Sequence, residues 1–252
     1  MFRLKMTLAY TGTQFSGWQV QPGQRTVQGC LEEGLRRICA VPVRVHAAGR
    51  TDAGVHALGQ VVHCDLPDNR LGVPWQRALN SLLPEDMAVT GVQPVDREFH
   101  ARLSARWKTY AYTLWQKKAY VLPQRRPFVW KTGCLDQAAM LQAAAVVQGK
   151  HDFSAFQNVG TPVASSVRHL AAVWFAQGLC ESELVCHFQG DGFLKQMVRN
   201  LVAAIVAVGQ GRLGLEELQA LLQGRDRTRG PATAPAQGLC LTRVDYPEPG
   251  GV

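Results

Sequence analysis

Ala48-Gly49-Arg50-Thr51-Asp52-Ala53-Gly54-Val55-His56-Ala57 sets an arginine and a carboxylate two residues apart between glycines, with apolar alternation on either side. The flanks read as strands, through Val43, Val45 and Ala47 before the stretch and from Gln60 to Asp65 after it, so a short loop at a strand end lies between them. Gly49 and Gly54 let the backbone turn and approach a ligand closely, and Arg50 and Asp52 can then project from one loop. A carboxylate held beside a guanidinium stays charged at neutral pH. Such an anion can act as nucleophile or base on an electrophilic carbon.

Outward from this loop the chain alternates strands and helices. Arg3 to Tyr10 carries Leu4, Met6, Leu8 and Tyr10 on one side, a half-buried strand. Gly12 to Gln24 reads as a loop, and Thr26 caps a helix whose Val27, Cys30, Leu31, Leu35 and Ile38 follow helical spacing and which ends before Pro42. A helix is predicted over 74–83 and a strand over 87–95. Tyr110, Tyr112 and Leu114 alternate with Thr109, Ala111 and Thr113 in a long strand that Pro123 and Pro127 bring to an end. Leu135 to Val147 is an alanine-rich helix, and Leu170–Phe175 pairs with Leu184–Gln189. Phe193 to Val208 is an apolar helix carrying Lys195 and Arg199, Leu215 to Leu222 a shorter one, and Leu239 to Tyr246 a closing strand. The expected fold is α+β, with a central sheet and helices on one face. The halves divide at 104/105: residues 1–104 carry the Asp52 loop and residues 105–252 the rest.

Composition narrows the function. With 46% hydrophobic and 18% charged residues the 252-residue chain is that of a folded globular protein. The first six residues hold charges that break any signal-peptide core, and the apolar run Leu201–Val208 is far too short to span a bilayer, so a cytoplasmic protein without a membrane partner is expected. Seven cysteines, at 30, 39, 64, 134, 180, 186 and 240, show no paired spacing and read as reduced thiols. No metal site is expected, since neither cysteines nor histidines have ligand spacing. The net charge is +8, and nine basic residues from Arg97 to Lys131 against Glu98 alone account for that whole excess. Trp107, Tyr110, Tyr112, Trp115 and Tyr120 are interleaved with them, as suits a surface that neutralises phosphates and stacks bases.

The Gly49–Ala57 stretch resembles the catalytic loop of the tRNA pseudouridine synthase A family. The resemblance continues, in family order, through Phe99-His100-Ala101-Arg102, Lys108-Thr109-Tyr110-Ala111-Tyr112, Asp152-Phe153 with Phe156, Gly192-Phe193-Leu194 with Met197-Val198-Arg199, and Ala234-Pro235-Ala236 with Gly238-Leu239. It spans nearly the whole chain. One departure is Ala203, where relatives often have a glycine. The resemblance implies two related α/β halves sharing an extended, mostly antiparallel sheet with a basic cleft between them, and a homodimer. It implies isomerisation of uridine to pseudouridine at positions 38, 39 and 40 of the tRNA anticodon stem-loop. The reaction neither gains nor loses an atom, so no cofactor is expected, in keeping with the absence of a phosphate-cradling Gly-x-x-x-x-Gly-Lys or dinucleotide motif.

The same resemblance assigns Asp52 as the catalytic carboxylate, acting as nucleophile on the sugar or as base at its 2′ carbon. Arg199 is the expected cationic partner, Tyr110 the ring that stacks on the target base, and Arg50 the side chain that fills the space the uridine leaves. Arg102 and Arg106 are expected to meet phosphates, as are Arg125 and Arg126 in the basic stretch, and Leu239, Met197 and Val198 to line the uracil pocket. Tyr112 is left in the core, and His56 and His63 are structural. Two other readings compete: a non-catalytic RNA-binding protein, which would release no tritium from 5-tritiated uridine in tRNA, and a glycosidic hydrolase, which would release free uracil and usually needs a second acidic group.

Overall fold

A computed structural model of the chain describes residues 1–158 and 163–247. They form two compact units, one of Met1–Arg106 with residues 240–247 and one of the described residues of Trp107–Leu239. The architecture is mixed α/β with mostly antiparallel strands.

Unit 1 begins with β1 (Phe2–Tyr10), whose Leu4, Met6, Leu8 and Tyr10 are all buried, as the period-two pattern requires. Then comes α1 (Val27–Cys39), with the Thr26 hydroxyl accepting from Gly29 N–H at its start and Ala40 in the left-handed conformation at its end. β2 (His46–Ala47), β3 (His56–Leu66), α2 (Trp75–Asn80) and β4 (Met87–Val95) follow. The sheet runs β4-β1-β3, antiparallel throughout, with β2 antiparallel to β3. β2 is shorter than the alternation of Val43, Val45 and Ala47 predicts. Side chains of α1 take the backbone there: Val45 N–H donates to Glu32 Oε1 at 3.0 Å, and Val45 O accepts from Gln28 Nε2 at 3.2 Å.

Unit 2 contains β5 (Trp107–Trp115), β6 (Trp130–Lys131), α3 (Gln137–Val147), β7 (Gly149–Asp152), β8 (Val167–Gln177), β9 (Glu183–Gly190), α4 (Met197–Gly209) and α5 (Leu215–Gly224). Its sheet is ordered β5-β9-β8-β7, all antiparallel, with β6 parallel to β5. Every residue of α4 except Arg199 is buried, which fits a helix apolar on all sides. The alanines of α3 let it pack closely on α4, so closely that a Cβ at Gly209 would lie 2.6 Å from Met140 Cγ. α4 starts at Met197 and not at Phe193: Gln196, at φ 60°, is its cap, which leaves Lys195 outside the helix.

The last strand, β10 (Leu239–Asp245), pairs in parallel with β3, Cys240 opposite His56 and Leu241 opposite Ala57. Residues 240–247 therefore belong with unit 1, although they follow unit 2 in the chain.

Candidate active site

The Asp52 loop of unit 1 is held from three sides. Asp52 to Val55 is a turn closed by Val55 N–H on Asp52 O at 3.1 Å, with Gly54 at φ 79° in the third position, where a type II turn wants glycine. Beneath it the buried Thr51 uses both its polar ends. Its carbonyl oxygen accepts from Trp18 N–H at 3.0 Å, and its hydroxyl lies 2.9 Å from the Tyr10 hydroxyl. Gln60, fully buried in β3, donates from Nε2 to Gly49 O at 2.8 Å and to Tyr10 Oη at 3.4 Å. Burial pushes the Tyr10 phenol up to about 12, so it stays protonated and available as a hydrogen-bond donor.

The segment read from sequence as a plain loop, 12–24, supplies the third support. Gly17, at φ 88°, packs so closely that a Cβ would lie 2.9 Å from Thr51 O and 3.1 Å from Ala53 N. At Gly12 a Cβ would overlap Val55 O, and Gly12 N–H donates to His56 Nδ1 at 3.0 Å. This segment is fastened in turn to α1, Val27 N–H donating to Gly17 O and Gln28 N–H to Trp18 O. Arg50 is exposed and Asp52 half-buried on either side of the anchored Thr51. Both side chains are thus carried by a backbone with little freedom. Sequence reasoning missed Tyr10, Gly12, Gly17, Trp18 and Gln60 as its supports. A tryptophan inside a glycine-rich loop and a glutamine inside an apolar strand were the available signals.

Arg102 lies in unit 1 on a separate loop and is exposed. Tyr110, Arg199 and Leu239 belong to unit 2. Tyr110 is buried on β5, its ring edge-on to Phe193 at 5.1 Å between centroids. Arg199 occupies the first turn of α4, where the helix end is itself positive, and the pair favours an anion. Its Nε donates to Ala234 O at 2.7 Å. The neighbouring carbonyl, Pro235 O, accepts from Tyr112 Oη at 2.7 Å, and a Cβ on Gly238 would lie 2.5 Å from the Tyr112 ring. Burial raises the Tyr112 phenol, while the Arg199 charge opposes that rise.

A partly buried polar network fixes the same segment. Arg227 Nη2 donates to Asn200 Oδ1 (3.0 Å), Pro231 O (2.9 Å) and Thr233 Oγ1 (3.1 Å), and Asn200 Nδ2 donates to Phe156 O at 2.7 Å. The sequence blocks around 108–112, 152–156, 193–199 and 234–239 are therefore joined by hydrogen bonds within one unit. Leu239, Met197 and Val198 are buried.

Arg125 corrects the expected phosphate set. Its Nε donates to Glu183 Oε1 at 2.5 Å, and Glu183 is buried and also caps Leu179 N–H, so this arginine has a structural partner. Arg126, Lys117 and Lys118 remain exposed in that stretch.

The model of the tRNA pseudouridine synthase family matches residues 6–103 and 143–247, and the chain belongs to that family. Membership makes it a pseudouridine synthase, an isomerase acting on tRNA. Relatives that match nearly the whole chain are called tRNA pseudouridine synthase A. One from Solidesulfovibrio magneticus is 55% identical, covering 99% of this chain and 93% of its own; one from Maridesulfovibrio salexigens is 52% identical over 99% and 92%. One from Geobacillus kaustophilus is 42% identical over 97% and 94%. Among the described residues no helix is long and apolar enough to cross a membrane.

Proposed function

We propose that the chain converts uridine to pseudouridine at positions 38, 39 and 40 of the anticodon stem-loop of tRNA, with Asp52 as the catalytic carboxylate. The bond from uracil N1 to C1′ breaks, the base turns, C5 joins C1′, and the proton lost from C5 is balanced by one gained at N1. Asp52 serves as nucleophile at C1′ or as base at C2′. Tyr110 stacks on the base, Arg199 supplies positive charge, and Arg50 takes the place of the extruded nucleotide. Extrusion costs a few kcal/mol, so phosphate contacts from Arg102 and its neighbours must offset it. The protein works in the cytoplasm as a homodimer.

The observation that carries this reading is the anchoring of Thr51, between Arg50 and Asp52, by Tyr10 and Trp18, which holds the backbone of the loop that bears both side chains. The test is tritium release from 5-tritiated uridine in tRNA, with position-resolved mapping of the product. Asp52→Asn is expected to lose at least about 10³-fold in turnover while tRNA affinity changes less than about twofold. Full turnover in a clean preparation of that variant would remove Asp52 from the chemistry. Product confined to nucleotides outside 38–40 would move the substrate assignment.

A further inference from the structure

Residues 97–104 of unit 1 form a second loop whose backbone is bound by side chains from β1, β3 and the segment after β10. Arg3, paired to Asp65 through Nε and Nη2 at 2.8 Å each, donates to Arg97 O and, at 2.9 Å, to Phe99 O. Ala101 N–H donates to His63 Nδ1 at 3.1 Å, and Ala101 O accepts from Tyr246 Oη at 2.7 Å. The next two amides, of Arg102 and Leu103, donate to His100 Nδ1 at 3.1 and 3.3 Å, and His100 N–H donates to Ser104 Oγ at 3.0 Å. Four successive amides, 100 to 103, thus end on side chains.

The imidazoles are themselves packed together. His63 lies 4.6 Å from His100 and 5.0 Å from His46 of β2, ring centre to ring centre. Burial lowers the proton affinity of both His63 and His100, which keeps their Nδ1 atoms as acceptors at neutral pH. Ala101 seals a small core with Ala48 and Val61, while Arg102 and Leu103 at the tip face solvent, Leu103 at 78% exposure. Core packing asks for Ala101 and Phe99 only. The firm hold on the exposed tip needs another reason.

We infer that His63 and His100 are positioning residues for the substrate: their Nδ1 atoms set the turn so that the Arg102 guanidinium meets a tRNA phosphate without being ordered at the moment of binding. This rests on the reading of Arg102 as an RNA contact. The experiment measures what Arg102→Ala costs in affinity for an unmodified tRNA transcript, in the full chain and in two His100 backgrounds. In the otherwise native chain the loss is about tenfold near 0.1 M salt, the share of one phosphate contact. With His100→Phe, which removes the acceptor, the added loss from Arg102→Ala falls below about twofold. His100→Asn, whose side-chain oxygen can accept the amide two residues on, restores the roughly tenfold cost. In turnover assays the His100→Phe loss falls on KM and spares kcat, which a folding defect would not do. An undiminished Arg102→Ala cost with His100→Phe, or His100→Asn behaving as His100→Phe, overturns the positioning role. No cost for Arg102→Ala in the otherwise native chain overturns the RNA contact itself, a distinguishable result.

Discussion

Thr51 joins two elements through a single residue: its carbonyl oxygen takes Trp18 N–H and its hydroxyl meets Tyr10. Tyr10→Phe removes one partner of that buried bond, and about 1 kcal/mol of stability should go with it. If the loop is positioned through this bond, the variant also loses kcat with little change in KM, and steady-state kinetics on tRNA would show the split. An unchanged kcat would make the bond purely structural. His63 offers a second prediction. Burial first, then the nearby His100, Arg3 and His46 charges, lowers its pKa from 6.5 to about 4. Between those values the unfolded chain binds the proton and the folded one does not, so this contribution to stability is present above pH 6.5 and lost as pH falls towards 4. Allowing for solvent screening, the loss is about 2 kcal/mol. Urea midpoints for the wild type minus those for His63→Gln should fall over that window. A flat difference would refute the shift.

Among elements, the segment between β1 and α1 governs the Asp52 loop through contacts that admit no side chain. Gly17→Ala puts a Cβ against Thr51 O and Ala53 N in a left-handed backbone, and should cost about 1–3 kcal/mol while moving the loop. Calorimetry and turnover should fall together. Activity retained at full stability would show that the loop tolerates the shift. In unit 2, the segment 231–235 depends on Arg227. Arg227→Ala removes one donor each from Asn200 Oδ1, Thr233 Oγ1 and Pro231 O, an expected loss of about 1–2 kcal/mol. Most elements were legible from local pattern: β1 by alternation, α1 by its Thr26 cap, α3 by its run of alanines. The start of α4 was not, because apolar periodicity runs on through Phe193 and Leu194 although Phe193 turns aside to pack on Tyr110.

For the molecule as a whole, charge is the property open to direct test. Reversing the exposed Lys118 and Arg126 to glutamate should weaken tRNA binding and reduce the slope of log affinity against log salt by about 2, if each meets one phosphate. An unchanged slope would place the RNA elsewhere. Arg125 is excluded from this variant because reversing it would leave the buried Glu183 facing a like charge. The identity of the residues at the Asp52 loop, the local periodicity of the strands and helices and the clustering of basic charge were all readable along the chain, since each depends on neighbours a few positions apart. The supports of the candidate site were not. Tyr10 reaches Thr51 across 41 positions, His63 reaches Ala101 across 38, and β10 closes on the start of β3 from the far end of the chain. Such pairings follow from strand register and from which buried polar groups find one another once the units are packed, and a linear pattern carries no record of either.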